Sequence, residues 1–386
     1  MTSLRHQRTR RSRLTALATG IALTASLIVG GPAAAPAGAD PDAPSASSTA
    51  KTSGPQYLVV GAAGDSNVVT FKADGPRLTR VDKTHTGQLF SLGVVPHPNG
   101  KFVYTAGVAS GKLTGYRMHT NGRMTPIPDA HKTPGPVTGI VYSPDGKYLF
   151  ATEGLPNTTV VTYRVHENGA LTRLSGARMR TPVSLLSIPV VSPDGEYLYA
   201  PSFSGMTMEG FRIGDGGRLT PVGDIKMTGL APALPSITPN GRFMYVGNEQ
   251  THDMNMWRIR KDGTLVDGGR TFVGLIPHGM AIHPNGKWMY FPLTGSQQVQ
   301  GRRILSDGRL APLPGSDVLV PGAARVVLSN DAKWLYAVTV AGIHGTADIY
   351  TFRVQNDGSI RPAGGPYDTG LVFHDGATAH MIAPGA

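Results

Sequence analysis

Apolar and polar residues alternate along this chain in short runs, as in Val160-Val161-Thr162-Tyr163-Arg164-Val165. That is the period of a strand with one face buried. Two phrases punctuate the runs. The first is a tight turn, a charged residue, an aromatic and an aliphatic. It appears as Pro98-Asn99-Gly100-Lys101-Phe102, Pro144-Asp145-Gly146-Lys147-Tyr148, Pro193-Asp194-Gly195-Glu196-Tyr197, Pro239-Asn240-Gly241-Arg242-Phe243 and Pro284-Asn285-Gly286-Lys287-Trp288, with a decayed copy at Asn330-Asp331-Ala332-Lys333-Trp334. Tyr57 opens the series without its turn. The aromatics stand at 57, 102, 148, 197, 243, 288 and 334, with gaps of 45, 46, 49, 46, 45 and 46. The second phrase is Asp74-Gly75, Asn121-Gly122, Asn168-Gly169, Gly216-Gly217, Asp262-Gly263, Asp307-Gly308 and Asp357-Gly358. Asn-Gly and Asp-Gly supply the positive φ angles of tight hairpins, so each copy marks a turn between two strands.

Each repeat therefore reads as strand a, Pro-Asp-Gly turn, strand b, loop, strand c, Asp-Gly turn, strand d. Four short antiparallel strands at this period predict an all-β, seven-bladed β-propeller over residues 56–386. The 50 glycines and 31 prolines are periodic and fit a turn-rich β chain. The first repeat has strands b, c and d but no strand a. The C-terminal Ala379-His380-Met381-Ile382 matches the missing strand and is expected beside residues 57–60, closing the ring and removing an open sheet edge.

Residues 1–39 stand apart. Arg5, Arg8, Arg10, Arg11 and Arg13 precede an apolar stretch over 14–29, and Ala37-Gly38-Ala39 offers a small-x-small cleavage site. This predicts a secretory signal peptide and an exported protein, by the general or the twin-arginine route. Residues 40–55 are rich in Pro, Ala, Ser and Thr and read as a disordered lead-in. The leader carries five basic residues and no acids, so the net charge of +11 falls to 31 − 25 = +6 without it. No Lys/Arg run or basic-aromatic stripe follows, which argues against nucleic acid. The chain has no cysteine. Disulfides, thiol nucleophiles and a lipidated-cysteine anchor are thereby excluded. No membrane anchor is expected, and a monomer is.

The repeats act as an internal control: a polar residue where sister blades carry something bland is a candidate for function. His97 and His283 replace Ser143, Ser192, Thr238 and Ser329 just before a turn and read as turn caps. At the expected channel mouth, where strand a begins, only His278 and Arg325 are large polar groups, with His380 one step further. Nearby loops add His85, His131, Arg178, Arg180, Lys226, His252, Asp253, His344, His374 and Asp375, and the b–c loops add Glu153, Asn248 and Glu249. A cationic mouth with one or two carboxylates suits a small molecule that is anionic or carries a carbonyl group. The histidines lack His-x-His or His-Glu-x-x-His spacing, so no metal site is expected. No cofactor is expected either, and an ion in the channel is left open. Met206, Met208, Met227 and Met254 are expected either to pack between blades or to form an apolar pocket wall.

The segments 229–246 (Gly-Leu-Ala-Pro…Pro-Asn-Gly-Arg-Phe-Met-Tyr-Val), Asn248-Glu249 and 276–290, with Pro277-His278 before Pro284-Asn285-Gly286, resemble the lactonase-like seven-bladed propellers. These include 6-phosphogluconolactonases, 3-carboxymuconate lactonising enzymes and secreted actinobacterial relatives. The resemblance covers about residues 55–386 and implies a channel-mouth histidine, arginines, and a glutamate after a strand b. Carried onto this chain, it makes His278, Arg325 and Glu249 the catalytic candidates, with His380, His252, Asp253, Arg180, Glu153 and His374 as candidate ligand-binding residues. Where the family carries a basic pair, this chain has Pro232-Ala233-Leu234. Two readings follow: an enzyme that opens or closes a small lactone, and a non-catalytic propeller that binds a ligand or partner at the same mouth.

Overall fold

The computed structural model describes residues 54–384 apart from 89, 129–132, 182 and 375–377. The expected signal peptide, most of the lead-in, His131 and Asp375 lie outside the described residues. The described residues form seven antiparallel sheets. Each is a blade of the expected a–b–c–d order, and the innermost strands touch one another in sequence around a ring. Blade 1 is completed by the chain's last strand. Ala379–Ile382 pairs antiparallel with Gln56–Gly61, with Tyr57 opposite Ile382 and Val60 opposite Ala379. The ring closes as expected.

The two phrases of the sequence turn out to be two halves of one contact. The first aromatic of every strand b packs on the glycine of the c–d turn in the next blade. Trp334 meets Gly75, Tyr57 meets Gly122, and Tyr197 meets Gly263. At Gly263 φ is +78°, and a Cβ would stand 2.1 Å from the Tyr197 ring. Only glycine fits both the angle and the space. Two residues further along strand b, a tyrosine hydroxyl donates to the same turn's glycine carbonyl. Tyr199 reaches Gly263 at 2.9 Å, Tyr245 reaches Gly308 at 2.6 Å, Tyr290 reaches Gly358 at 2.7 Å and Tyr336 reaches Gly75 at 2.8 Å. Tyr104 makes the same bond to Gly169. Blade 3 has Phe150 at this position, and Thr162 takes over the bond to Gly217 at 2.7 Å. Burial raises the pKa of these tyrosines, so they remain neutral donors.

The a–b turns lie at the same end. Ser143 Oγ accepts the Tyr148 N–H at 3.0 Å and donates to Asp145 at 2.7 Å, and Ser192, Thr238 and Ser329 repeat the cap. His97 caps its turn differently. Its Nδ1 accepts the Asn99 N–H at 3.1 Å and its Nε2 donates to Gly146 O of the next blade at 2.9 Å. His283 accepts the Asn285 N–H at 3.1 Å in the same way. Burial lowers the pKa of both. Both are turn caps.

The blades are not uniform. Strand a is only Val190–Val191 in blade 4 and Ala281–Ile282 in blade 6, and blade 6 divides its outer strand into Leu310–Pro312 and Val318–Leu319. In blade 6, Pro277 has no N–H to continue the ladder, and the segment before Ala281 is held by single bridges instead. Met208 and Met254 are fully buried between blades, whereas Met227 is exposed.

Candidate functional site

Every d–a connection crosses the loop face from an outer strand to the innermost strand of the next blade. In most blades it contains one residue with left-handed backbone, and this residue's carbonyl accepts an N–H from the b–c loop. Phe90 accepts from Val108, Leu186 from Phe203, Ala231 from Glu249, Ile276 from Thr294 and Phe373 from Ala63. None of these five is glycine. Ile276, at φ +55°, is β-branched and strained there, a cost of order 1–3 kcal/mol that the surrounding bonds must hold. The Ala231 bond sets Glu249. The Ile276 bond, two residues upstream, sets His278.

His278 and Glu249 meet. His278 Nε2 lies 2.8 Å from Glu249 Oε1, with side-chain exposures of 14% and 18%. The other ring nitrogen, Nδ1, lies 3.0 Å from the Ala324 carbonyl oxygen of blade 7. A carbonyl only accepts, so Nδ1 carries a proton. The 2.8 Å Nε2–Oε1 separation is that of a hydrogen bond, which one proton between the two atoms completes. Arg325 follows Ala324 and completes the group. It forms a parallel bridge with Gly279, and its guanidinium lies over that glycine so closely that a Cβ there would stand 2.2 Å from Arg325 Nη1. His278 and Arg325 are both half-buried at a ring level where Thr138, Ser187, Ala324 and Thr378 are closed off.

His374 sits beneath this group, fully buried at the ring seam. Its Nδ1 donates to Gly61 O at 3.0 Å and lies 3.2 Å from Thr378 Oγ1. Burial pushes its pKa down to about 4, with the positive charges of His278 and Arg325 adding to the effect. The ring is therefore neutral near pH 7, and Nε2 is a buried lone pair with no hydrogen-bond partner among the described residues. Such an acceptor is costly unless something donates to it.

The other expected ligand residues are placed differently. Glu153 is buried, accepts from the Tyr163 hydroxyl and pairs with Arg173 at 3.2 Å, all within blade 3. Arg180 pairs at 3.2 Å with the buried Glu209, whose oxygens also accept from the Arg180 and Thr181 N–H groups and from Thr181 Oγ1. Asp253 accepts from Asn248 at 2.6 Å and faces Arg270 at 3.5 Å. His252 Nδ1 accepts the Ile276 N–H at 3.3 Å, so it supports the loop that carries His278. His380 is half-buried on the closing strand, opposite Val59. His344 pairs with the buried Asp348 at 2.6 Å, which raises its pKa. No group of three or more histidines and carboxylates that could hold a metal occurs among the described residues.

Known proteins bear on this geometry in three ways. Residues 139–274 match the model of the family described as "Lactonase, 7-bladed beta-propeller". The match contains Glu249 and stops just short of His278. No curated protein matches the chain in sequence. Solved structures share the fold at low identity. A candidate 6-phosphogluconolactonase from Bacteroides fragilis superposes with a TM-score of 0.71 at 15% identity, over 86% of this chain and 98% of its own. The periplasmic gluconolactonase of Pseudomonas aeruginosa gives 0.66 at 15% identity, over 85% and 99%. Hydrazine synthase of Kuenenia stuttgartiensis gives 0.57 at 16% identity, over 75% and 94%. The chain thus resembles the lactonase-like propellers in sequence over one stretch and in fold over about 86% of its length. The range of activities among its structural neighbours leaves the chemistry to the site.

Proposed function

We propose that the loop-face mouth opens, or in reverse closes, the ring of a small lactone. The observation that carries this reading is the 2.8 Å His278–Glu249 pair, with the Arg325 guanidinium packed on the adjoining Gly279. Arg325 would donate to the lactone carbonyl and stabilise the charge that gathers on its oxygen. Glu249, with its second oxygen, would take a proton from the attacking water. The tetrahedral intermediate then breaks its ring C–O bond, and His278 returns a proton to the departing alkoxide. Water and lactone give one hydroxy acid, with no cofactor. The protein would act outside the cytoplasm, released by cleavage after Ala39; a mature chain beginning at Asp40 in the mass spectrum supports export, and an intact leader on the mature protein counts against it.

The test is a lactone panel with wild type, Glu249→Gln and Arg325→Ala. Each variant is expected to lose about 10²–10⁴ in kcat while keeping the wild-type melting temperature. A wild type that turns over no lactone, or variants that match it, would overturn the assignment.

A further inference from the structure

Large apolar side chains are exposed on the loop face, along an arc of consecutive blades. Two connections carry two of them each, and they align residue for residue: Met227-Thr228-Gly229-Leu230-Ala231-Pro232 leads into blade 5, and Phe272-Val273-Gly274-Leu275-Ile276-Pro277 into blade 6. Each runs radially, because strand d is the outermost strand and strand a the innermost. Met227 and Phe272 therefore stand at the rim, 66% and 71% exposed, and Leu230 and Leu275 stand halfway in. The inner ends are the site itself. Ala231 holds the Glu249 N–H, and Pro277 is followed by His278.

The halfway leucines are fixed. The Leu230 N–H donates to Thr251 Oγ1 at 3.2 Å and its carbonyl accepts from Gln250 at 3.2 Å. The Leu275 N–H donates to Ser296 Oγ at 2.9 Å and its carbonyl accepts from Gly295 at 3.1 Å. With both backbone groups bonded to the neighbouring b–c loop, the side chains are left to face solvent. Exposed apolar groups in contiguous tracks mark a binding surface. These tracks start at the rim and end at the reacting groups, which fits one molecule lying along them with its polar end at the mouth.

We infer that the substrate is a lactone with an apolar tail, its ring at His278, Glu249 and Arg325 and its tail lying outward between the Leu230–Met227 and Leu275–Phe272 tracks. This rests on the lactone reading above and adds the substrate class to it. The mouth supplies the charge and the tracks supply the grip.

The experiment is a series of γ-lactones with side chains from methyl to octyl, assayed with wild type and with the double variant Leu230→Ser/Leu275→Ser. Full burial of a methylene discriminates about fourfold, so a half-open surface is expected to raise kcat/KM about twofold per methylene. The double variant should flatten that slope and melt as wild type does. A wild-type slope that is flat or falling, with turnover intact, overturns the tail site and spares the lactone reading. If no lactone turns over, the lactone reading falls. Calorimetry with straight-chain carboxylates from four to twelve carbons then decides the tracks alone: affinity that climbs with length and is lost in the double variant upholds them, and flat affinity overturns them. Length-independent binding to phosphatidylglycerol vesicles, or a dimer, abolished by the same two changes would assign the surface to a bilayer or a second copy and overturn the proposal.

Discussion

The two faces of this propeller are built from the same seven repeats and treat repetition in opposite ways. On the turn face, every blade passes an aromatic to the glycine of the next. The capping hydroxyl or imidazole and the tyrosine clasp recur with small variations. On the loop face the backbone recurs, with its left-handed residue in six of the connections among the described residues, five of them not glycine, while the side chains differ. Where blade 5 has Ala233, blade 6 has His278, and blade 7 answers with Arg325. The first face shows what the ring needs to exist. The second shows how one set of loops can be rewritten locally, because the loops' geometry is held by backbone bonds that any residue can make.

The largest effect expected from breaking this contrast is at the closure. Removing residues 379–386 opens blade 1 along four paired positions and exposes a sheet edge. Cooperative unfolding should be lost, and an unchanged urea transition would show that the ring does not depend on its last strand. The same substitution on the two faces should then give opposite results. Gly263→Ala forces a methyl into the Tyr197 ring at φ +78° and should cost about 3 kcal/mol of stability, with turnover per folded molecule unchanged. Gly279→Ala meets the Arg325 side chain, with Nη1 at 2.2 Å and Cδ at 2.9 Å, and the Leu234 methyl at 2.9 Å. It should displace the guanidinium and lose at least about tenfold in kcat/KM, with the melting temperature nearly kept. Equal behaviour of the two variants in both assays would remove the division between the faces.

The mouth should also be acid-sensitive through His374, in addition to the buried turn-face caps His97 and His283, whose pKa burial lowers as well. In the unfolded chain His374 takes up its proton near pH 6.5, but in the folded protein only at about pH 4. Between these values the unfolded state binds more protons, so stability falls as pH falls from 6.5 and levels off below 4. The shift corresponds to about 3 kcal/mol. His374→Asn should flatten the urea midpoint over this window, and a midpoint that falls as steeply as in wild type would relocate the acid sensitivity. The smallest expected effect is at one clasp. Tyr199→Phe leaves the Gly263 carbonyl without its donor and should cost about 1–2 kcal/mol, with no change in activity. Matched denaturation curves would show that the packed ring alone holds that joint.

The turn face was largely legible in the sequence. Turn residues report local backbone geometry, so the aromatic spacing gave the number of blades, the strand order and the closing strand. The partner of each aromatic was not legible, because Tyr197 and Gly263 are 66 residues apart and belong to different repeats. The tyrosine two places later, at 104, 199, 245, 290 and 336, was visible as a period but had no local reason to be there. At the mouth, His278, Arg325 and Glu249 were recognisable as exceptions to the repeat, yet nothing along the chain said that His278 and Glu249 meet. Glu153 and Arg180 looked equally exceptional, and the structure instead occupies them with Arg173 and Glu209. The left-handed Ile276 was hidden for a further reason. An isoleucine signals extended backbone, and the Thr294 and His252 bonds hold it elsewhere.

The joint between blades 7 and 1, with Trp334 on Gly75 and Tyr336 bonded to its carbonyl, is built as the other joints are, although blade 1 is assembled from both ends of the described chain. The ring therefore has no intrinsic first blade. The break falls where other blades carry an a–b turn, on the face away from the chemistry. A circular permutant with residues 384 and 56 linked by a Pro-Asp-Gly turn and new ends at residues 145 and 146 would keep every joint and the whole mouth. The order in which the blades leave the ribosome could then be changed without altering the finished ring.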